Sequence, residues 1–428
     1  MRCRCCRRRC EGVLLSDERL AAFHAWAGTR LDAYTPAVPF REAVHAVPFR
    51  LICLLVLGHI AFAGNRFALT LQAVALHASP FAIGLLMSLL MVVPMVLSIH
   101  MGRWADRLGF ARPAAVGLAA LALGSLVAGG LRTMPALYVA SVLIGTGYTL
   151  AQVAVQNALG QLTPARQLTH SFSVLAMGFS ISGMSGPLVA GFVIDHLGYA
   201  GAFFAMLAFA GVSFGLLWPF VRTGARASGA GPAARPGPVL DLLRHPPLRA
   251  VLVVSGLLTM AWDMFQFLAP LHGARAGLSA TLTGTLMGAF GAGTFAIRAF
   301  LPLIHARMSE WRIMSWALFV AAVCYTVFPL AGTFPLMLAA AFAMGLSVGC
   351  GTPMAMSLLH LTAPPSRAGE AVGMRTSIVS ASQTFFPLVF GALGSAVGVG
   401  AVFWAGATVL ASGGAFARKR SAFTGERF

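Results

Sequence analysis

Gly102-Arg103-Trp104-Ala105-Asp106-Arg107-Leu108-Gly109-Phe110-Ala111-Arg112 stands between two apolar runs, 80–101 and 113–130, that contain no Asp, Glu, Lys or Arg. A helix of about 20 apolar residues crosses the hydrocarbon core of a bilayer. Each run therefore reads as a span, and the stretch between them as a tight, charged loop. The alternation continues in both directions, with runs at 50–72, 80–101, 113–130, 135–157, 170–192, 199–221, 248–271, 279–301, 312–330, 335–359, 370–392 and 398–417. The expected fold is an all-α membrane protein with twelve transmembrane helices. A closed β-barrel is excluded, because its strands need period-two alternation that these runs lack.

Composition excludes the soluble classes. Of 428 residues 58% are hydrophobic and 10% charged, against about 25% charged in a soluble domain. Such a chain cannot cover a water-facing surface, which removes a soluble enzyme, a disordered protein and a nucleic-acid-binding domain. The formal charge of +18 points to an anionic leaflet instead. With both ends on one side, the loops on that side hold Arg103, Arg107, Arg112, Arg166, Arg222, Arg226, Arg235, Arg244, Arg307, Arg312 and Arg367, followed by Arg418, Lys419 and Arg420. The opposite loops hold only Arg132 and Arg275. This positive-inside pattern predicts a multi-pass protein of the inner membrane with both termini cytoplasmic. Ala61-Phe62-Ala63 looks like a signal-peptidase site, but cleavage there would leave eleven spans and spoil the charge pattern.

The expected domains are a tail at 1–48, a six-helix bundle at 49–221, a linker at 222–247, a second bundle at 248–417 and a tail at 418–428. Cys3, Cys5, Cys6 and Cys10 lie among five arginines in the first tail. They read as part of a basic, disordered segment or of a miscalled start, rather than as a soft-metal site. The linker, GARASGAGPAARPGP at its centre, has a flexible composition. A shift of 200 residues superimposes the halves: Pro187-Leu188-Val189 and Gly191 fall on Pro387-Leu388-Val389 and Gly391. Gly84, Arg107, Arg112, Pro135 and Gly145 fall on Gly284, Arg307, Arg312, Pro335 and Gly345. Six spans return the chain to its starting side, so the two repeats are parallel, an arrangement that suits a transporter with its site between them.

The loop quoted first resembles the G-x-L-A-D-R-x-G-R-K motif of the major facilitator superfamily. Gly102, Asp106, Arg107, Gly109 and Arg112 match it, while Trp104 and Phe110 depart from it. The resemblance covers residues 49–417 and implies a secondary transporter whose loop acts as a gating latch on the inner side. Physically, the glycines permit a tight turn and Asp106 can pair with Arg or a helix N-terminus. The second-half copy has Ala306 in place of Asp106. Span 5, Ser182-Gly183-Met184-Ser185-Gly186-Pro187-Leu188-Val189-Ala190-Gly191, is similar to the G-x-x-x-G-P-x-x-G-G signature of proton-driven antiporters, with Ser182 and Ala190 replacing glycines. Gly186, Pro187 and Gly191 serve helix packing equally well.

A charge at membrane depth costs several kcal/mol unless paired or hydrated. Among the 12 acids only Asp263 falls deep inside a span, 14 residues or about 21 Å beyond Arg249. Its counterpart is Arg66, 16 residues or about 24 Å beyond Arg50 in span 1. The resemblance implies that spans 1 and 7 border a central cavity. Both side chains are then expected to face that cavity, Asp263 carrying the coupling proton and Arg66 anchoring substrate, the alternative being a static pair that sets register. Asn65, Gln266, Tyr148, Gln152 and Gln383 are further candidates for substrate contact. Arg298 and Arg375, near span ends, are expected to snorkel, His59 to be a packed histidine, and Trp262, Phe265 and Phe267 to face lipid or neighbours.

These readings converge on alternating-access transport of a small molecule, coupled to protons and directed to efflux of an amphipathic compound. Uptake or exchange of an organic anion is the alternative. A membrane enzyme or a scaffold is a distant third, since the spans hold no catalytic triad, metal-ligand cluster or phosphate loop. No cofactor, metal or nucleic-acid partner is implied. The partners are the substrate, protons and the lipid bilayer, and no sequence feature points to an oligomeric state.

Overall fold

The computed structural model describes residues 47–163, 165–222, 245–362 and 368–423. The expected N-terminal tail and linker lie outside these residues except at their edges. Among the described residues the regular structure is all helical. The first repeat starts with α1 (Val47–Ala75), α2 (Pro80–Leu108), α3 (Ala111–Gly130) and α4 (Met134–Leu162). A 58-residue run, Ala165–Arg222, then breaks at Gly198, where φ is 73°. L side chains avoid that region, and glycine enters it freely. The run is therefore two spans, α5 (165–197) and α6 (199–222). Contacts with α1 show that the arms lie side by side: Ser213 Oγ donates to Leu54 O at 2.8 Å, and His59 meets Ser182 at 2.5 Å.

The second repeat comprises α7 (Pro246–Arg275), α8 (Ala280–His305), α9 (Glu310–Val327), α10 (Phe334–Gly349 continued by Gly351–Thr362), α11 (Ala368–Val397) and α12 (Val399–Phe423). Among the described residues there are thus twelve transmembrane helices in two parallel six-helix repeats. Most run several residues past the apolar runs, and α12 continues beyond the expected end at 417 through Arg418, Lys419 and Arg420. Local signals set the ends. Ser79 caps α2, its hydroxyl accepting from Ala82 N at 3.2 Å, and Pro80 supplies the first turn. Gly109, at φ 78°, closes the same helix.

The 200-residue repeat is written into the packing. A Cβ on Gly145 would overlap the Leu90 carbonyl, and one on Gly345 the Phe290 carbonyl, so α4 on α2 and α10 on α8 are the same close crossing. Between the repeats, Gly84 lies against Pro387 O and Gly391 Cα, while Gly284 lies against Pro187 O and Gly191 Cα. The motif residues Pro187 and Gly191 are thus one half of a twofold pair of contacts, α5 on α8 and α2 on α11. Gly186 serves α1, with Gly64 N 2.8 Å from where its Cβ would stand. Small residues permit this approach where the lipid supplies no hydrophobic drive between helices.

Hydrogen bonds cap both contacts at the arginine-poor end. Asp195 at the end of α5 accepts from Ala280 N at 3.0 Å and Thr281 N at 2.7 Å, the first turn of α8. Its repeat mate Ser395 accepts from Phe81 N at 3.1 Å in the first turn of α2. The sequence places Asp195 among loop acids; it is instead a cross-repeat helix cap, favoured by the dipole and charge assistance.

Gly145→Ala and Gly345→Ala are each expected to destabilise the protein by about 1–3 kcal/mol through overpacking. Gly211→Ala, where no atom lies within 4 Å of the added methyl, should be near neutral. Thermal unfolding in detergent measures all three.

Candidate functional site

Six helices that meet between the repeats line the site, α2 with Met91 alone. α1 contributes His59, Phe62 and Arg66, α5 contributes Phe179 and Ser180, α7 contributes Trp262 and Gln266, and α8 contributes Phe290 and Arg298. They enclose a cavity of about 200 Å³, to which α11 adds Gln383. A second cavity of about 210 Å³ shares Trp262, Arg298 and Gln383 and continues past Ser255, Thr259, Thr352 and Arg375. These residues lie toward the arginine-rich end of α7, α10 and α11. The helix contacts at Gly84, Gly284 and Asp195 close the opposite end.

Helical spacing explains why α1 supplies so much of this wall. His59 and Arg66 are seven residues apart, two turns and about 10 Å along one face. His59 is in ring contact with Phe179 across the repeat interior, at 5.0 Å between centroids. Ser182 donates its one proton to Phe179 O at 3.1 Å. Ser182 Oγ also lies 2.5 Å from His59 Nδ1.

Arg66 lines the cavity with its Nε buried and without a hydrogen-bond partner. Asp263 does not reach the wall: it is 1% exposed, beneath Trp262 and Gln266, and neither carboxylate oxygen has a partner. The two charges act on each other electrostatically, and Gln383 also approaches the Asp263 carboxyl. No hydrogen-bonded ion pair joins them. Two opposite charges from equivalent spans of the two repeats thus share one buried region while keeping unused hydrogen-bonding capacity, an arrangement that costs free energy.

The other candidates divide. Gln266 and Gln383 line the cavity. Asn65 is turned away, its Nδ2 donating to Ser125 Oγ on α3 at 2.8 Å. Tyr148 is 4% exposed, stacked on Phe62 at 4.5 Å, and lies behind the wall rather than on it. Gln152 is half-buried on α4 and outside the lining. Trp262 faces the cavity and meets Phe290 edge-on at 4.8 Å, whereas Phe265 and Phe267 are buried within the second repeat. In the loop motif, Gly102, Asp106 and Arg107 belong to the last turns of α2, and their side chains lie outside the description. Arg112 is exposed in the first turn of α3.

Three expectations are corrected. Arg298 does not snorkel: Nη1 donates to Ser180 Oγ at 2.7 Å and Ala176 O at 3.2 Å in the first repeat, and Nε to Gly349 O at 3.4 Å. Arg375 turns inward, donating to Ser255 Oγ at 2.8 Å and Thr352 Oγ1 at 3.3 Å. Asp263, expected on the cavity wall, is buried behind it, whereas His59 is packed among Phe62, Tyr148 and Phe179 as expected and also lines the cavity. Depth along a span does not reveal what stands opposite, so the sequence carried no signal for these partners.

Comparison with known proteins agrees with this fold. The profile of the Major Facilitator Superfamily matches residues 51–334 and 313–427. An MFS-type transporter of Bacillus subtilis, YuxJ, is 22% identical over 340 residues, covering 77% of this chain and 86% of that protein. Among solved structures, a POT peptide transporter in complex with sulfate superimposes with a TM-score of 0.74 at 14% identity, covering 88% of this chain and 94% of that one. The nucleoside transporter NupG gives 0.71 at 14% identity, with 87% and 100% covered.

Tyr325 Oη donates to Ala261 O at 2.5 Å, two residues before Asp263, whereas Tyr148 Oη is buried without a partner. Tyr325→Phe is expected to cost about 0.5–1.5 kcal/mol and Tyr148→Phe to be neutral or stabilising. Thermal midpoints of the two variants should separate in that order.

Proposed function

The chain belongs to the major facilitator superfamily and is a membrane transporter of a small molecule; on that premise we propose that its cycle is coupled to protons through Asp263. The supporting observation is the buried carboxyl with two unpartnered oxygens, set behind a cavity wall that carries Arg66 from the other repeat. A carboxyl in this position is governed by the balance between burial and the nearby cation. Any event that moves Arg66, hydrates the cavity or supplies another anion therefore changes its proton occupancy.

Alternating access follows from the packing of the repeats. The cavity is closed at the arginine-poor end by α5 on α8 and α2 on α11, and extends toward the arginine-rich end. By the positive-inside rule that is the cytoplasmic side, with both termini there and the protein in the inner membrane. Separating the two twofold-related contacts would open the other side. Asp195 on the α8 N-terminus is a polar catch on that motion, since its two hydrogen bonds cross between repeats. The loop motif on α2 would be the corresponding latch at the arginine-rich end.

The cargo faces a wall of Phe62, Phe67, Phe179, Trp262 and Phe290, broken by a few polar groups, which fits a compact amphipathic molecule. The antiporter-like signature gives less support to efflux than the residues suggested. Pro187 and Gly191 are engaged in a packing contact that Pro387 and Gly391 repeat in the other half.

Vesicles containing the full-length protein, loaded with a panel of aromatic acids and amphipathic dyes, test the coupling. One proton per cycle supports at most about tenfold accumulation per pH unit. An imposed pH gradient should drive accumulation by the native protein, and Asp263→Asn should abolish it while leaving downhill exchange and thermal stability. Undiminished pH-driven accumulation by Asp263→Asn would refute the role.

A further inference from the structure

We propose that the cargo is an organic anion with an aromatic or apolar body, whose acidic headgroup takes the place of Asp263 as the counter-charge of Arg66. This deepens the proton-coupled reading above and rests on it. The first support is the composition of the wall. Among the described residues, those lining the cavity include Arg66, Arg298 and His59, and no Asp or Glu. The one described carboxylate close enough to act on Arg66 is Asp263, set behind that wall.

The two arginines hold their charges differently. Arg298 is fixed: its Nε and Nη1 donors are spent on Ser180, Ala176 and Gly349, all neutral acceptors. It therefore contributes positive potential without being neutralised. Arg66 is unspent: its Nε is buried, has no acceptor, and belongs to a side chain on the cavity wall. A guanidinium with free donors in a low-dielectric cavity is a strong site for a carboxylate, sulfonate or phosphate oxygen. A cationic cargo would meet the opposite: two arginines on the wall and its only acid out of reach. The aromatic side chains opposite, Phe179, Trp262 and Phe290, suit a planar apolar body.

Charge balance then links anion to proton. With Asp263 ionised and the cavity empty, Asp263 and Arg66 neutralise each other. When the anion binds Arg66, Asp263 is left as a second negative charge in the same buried region, and taking up one proton removes it. No covalent bond changes; one proton moves from water to a carboxylate oxygen, and one anion from water to the guanidinium. The groups around Asp263 are few. Arg66 faces it from α1 and Gln383 from α11, and Tyr325 stands on α9 with its proton engaged by Ala261 O. His59 lies near Arg66, Tyr148 packs on His59 and Phe62, and Arg298 lines the same cavity. Anion and proton thus bind together, one for one, and the loaded carrier has the same net charge as the empty one.

The test uses the full-length protein in detergent and in proteoliposomes. The probes are benzoate, naphthoate, naphthalenesulfonate and phenyl phosphate, each beside its neutral amide or alcohol analogue, and naphthylmethylammonium as the cation. At least one anion should raise the thermal midpoint and be transported, with binding tighter by about tenfold per pH unit lowered across the titration of Asp263; neutral and cationic analogues should do neither. Arg66→Gln should lose the preference for anions and Arg66→Lys should keep part of it, which separates charge recognition from folding. Asp263→Asn should bind the same anion with no pH dependence. Preference for the cation or the neutral analogues, or anion binding unchanged in Arg66→Gln, overturns the inference. If pH-driven, Asp263-dependent transport of a neutral or cationic probe appears, the cargo assignment fails and the coupling reading survives. If Arg66-dependent anion transport ignores a pH gradient, the coupling reading and the one-for-one binding of anion and proton fail together, while anion recognition at Arg66 remains.

Discussion

A charge carried to the middle of a membrane costs several kcal/mol unless water, a counter-charge or hydrogen bonds meet it. Arg66 and Asp263 stand under that constraint, and much of the fold is arranged around them. They come from the first helix of each repeat, so the twofold relation that makes the bundle also brings the two charges to one region. Neither has its hydrogen-bonding capacity filled by protein atoms. Arg298 shows the contrast, since its guanidinium is tied to a hydroxyl and two carbonyls. The protein thus holds one cation as structure and leaves another available.

The cavity exists because the repeats touch closely at one end and diverge toward the other. Backbone approaches at Gly84 and Gly284 bring α2 to α11 and α8 to α5 with only glycine and proline between them. The α5–α8 contact continues along the helices, with Gly288 against Leu188 and Gly291 against Met184. Asp195 and Ser395 add hydrogen bonds at the same end, one with a charge and one without. The inequality makes the α5–α8 contact the more strongly capped of the two. The wider parts of each repeat hold together through crossings such as Gly145 on Leu90, which lie inside one repeat and move with it.

Much of this was legible in the residues. The twelve apolar runs, and the arginines that punctuate them, set the number of helices. The 200-residue shift picked out Gly84, Gly145, Pro187 and Gly191 before their contacts were known, because a residue forced by close packing in one repeat is forced in the other. The search for intramembrane charge found Arg66 and Asp263 by depth alone. Depth could not say which way a side chain turns. Asn65 stands beside Arg66 in sequence yet faces Ser125 in its own repeat, and Tyr148 is covered by Phe62. Arg298 was read as an interfacial arginine because its acceptors Ala176 and Ser180 are more than a hundred positions away. Asp195 looked like a loop acid because a helix N-terminus from the other repeat leaves no mark near it.

A proton that exchanges between water and Asp263 is the claim on which coupling and cargo both depend. Infrared difference spectroscopy of the protein in lipid, recorded across a pH titration, observes that proton directly. The account requires a protonated carboxyl stretch that grows as pH falls, is absent from Asp263→Asn, and shifts in Arg66→Gln. A titration with no carboxyl band that depends on Asp263 would contradict it.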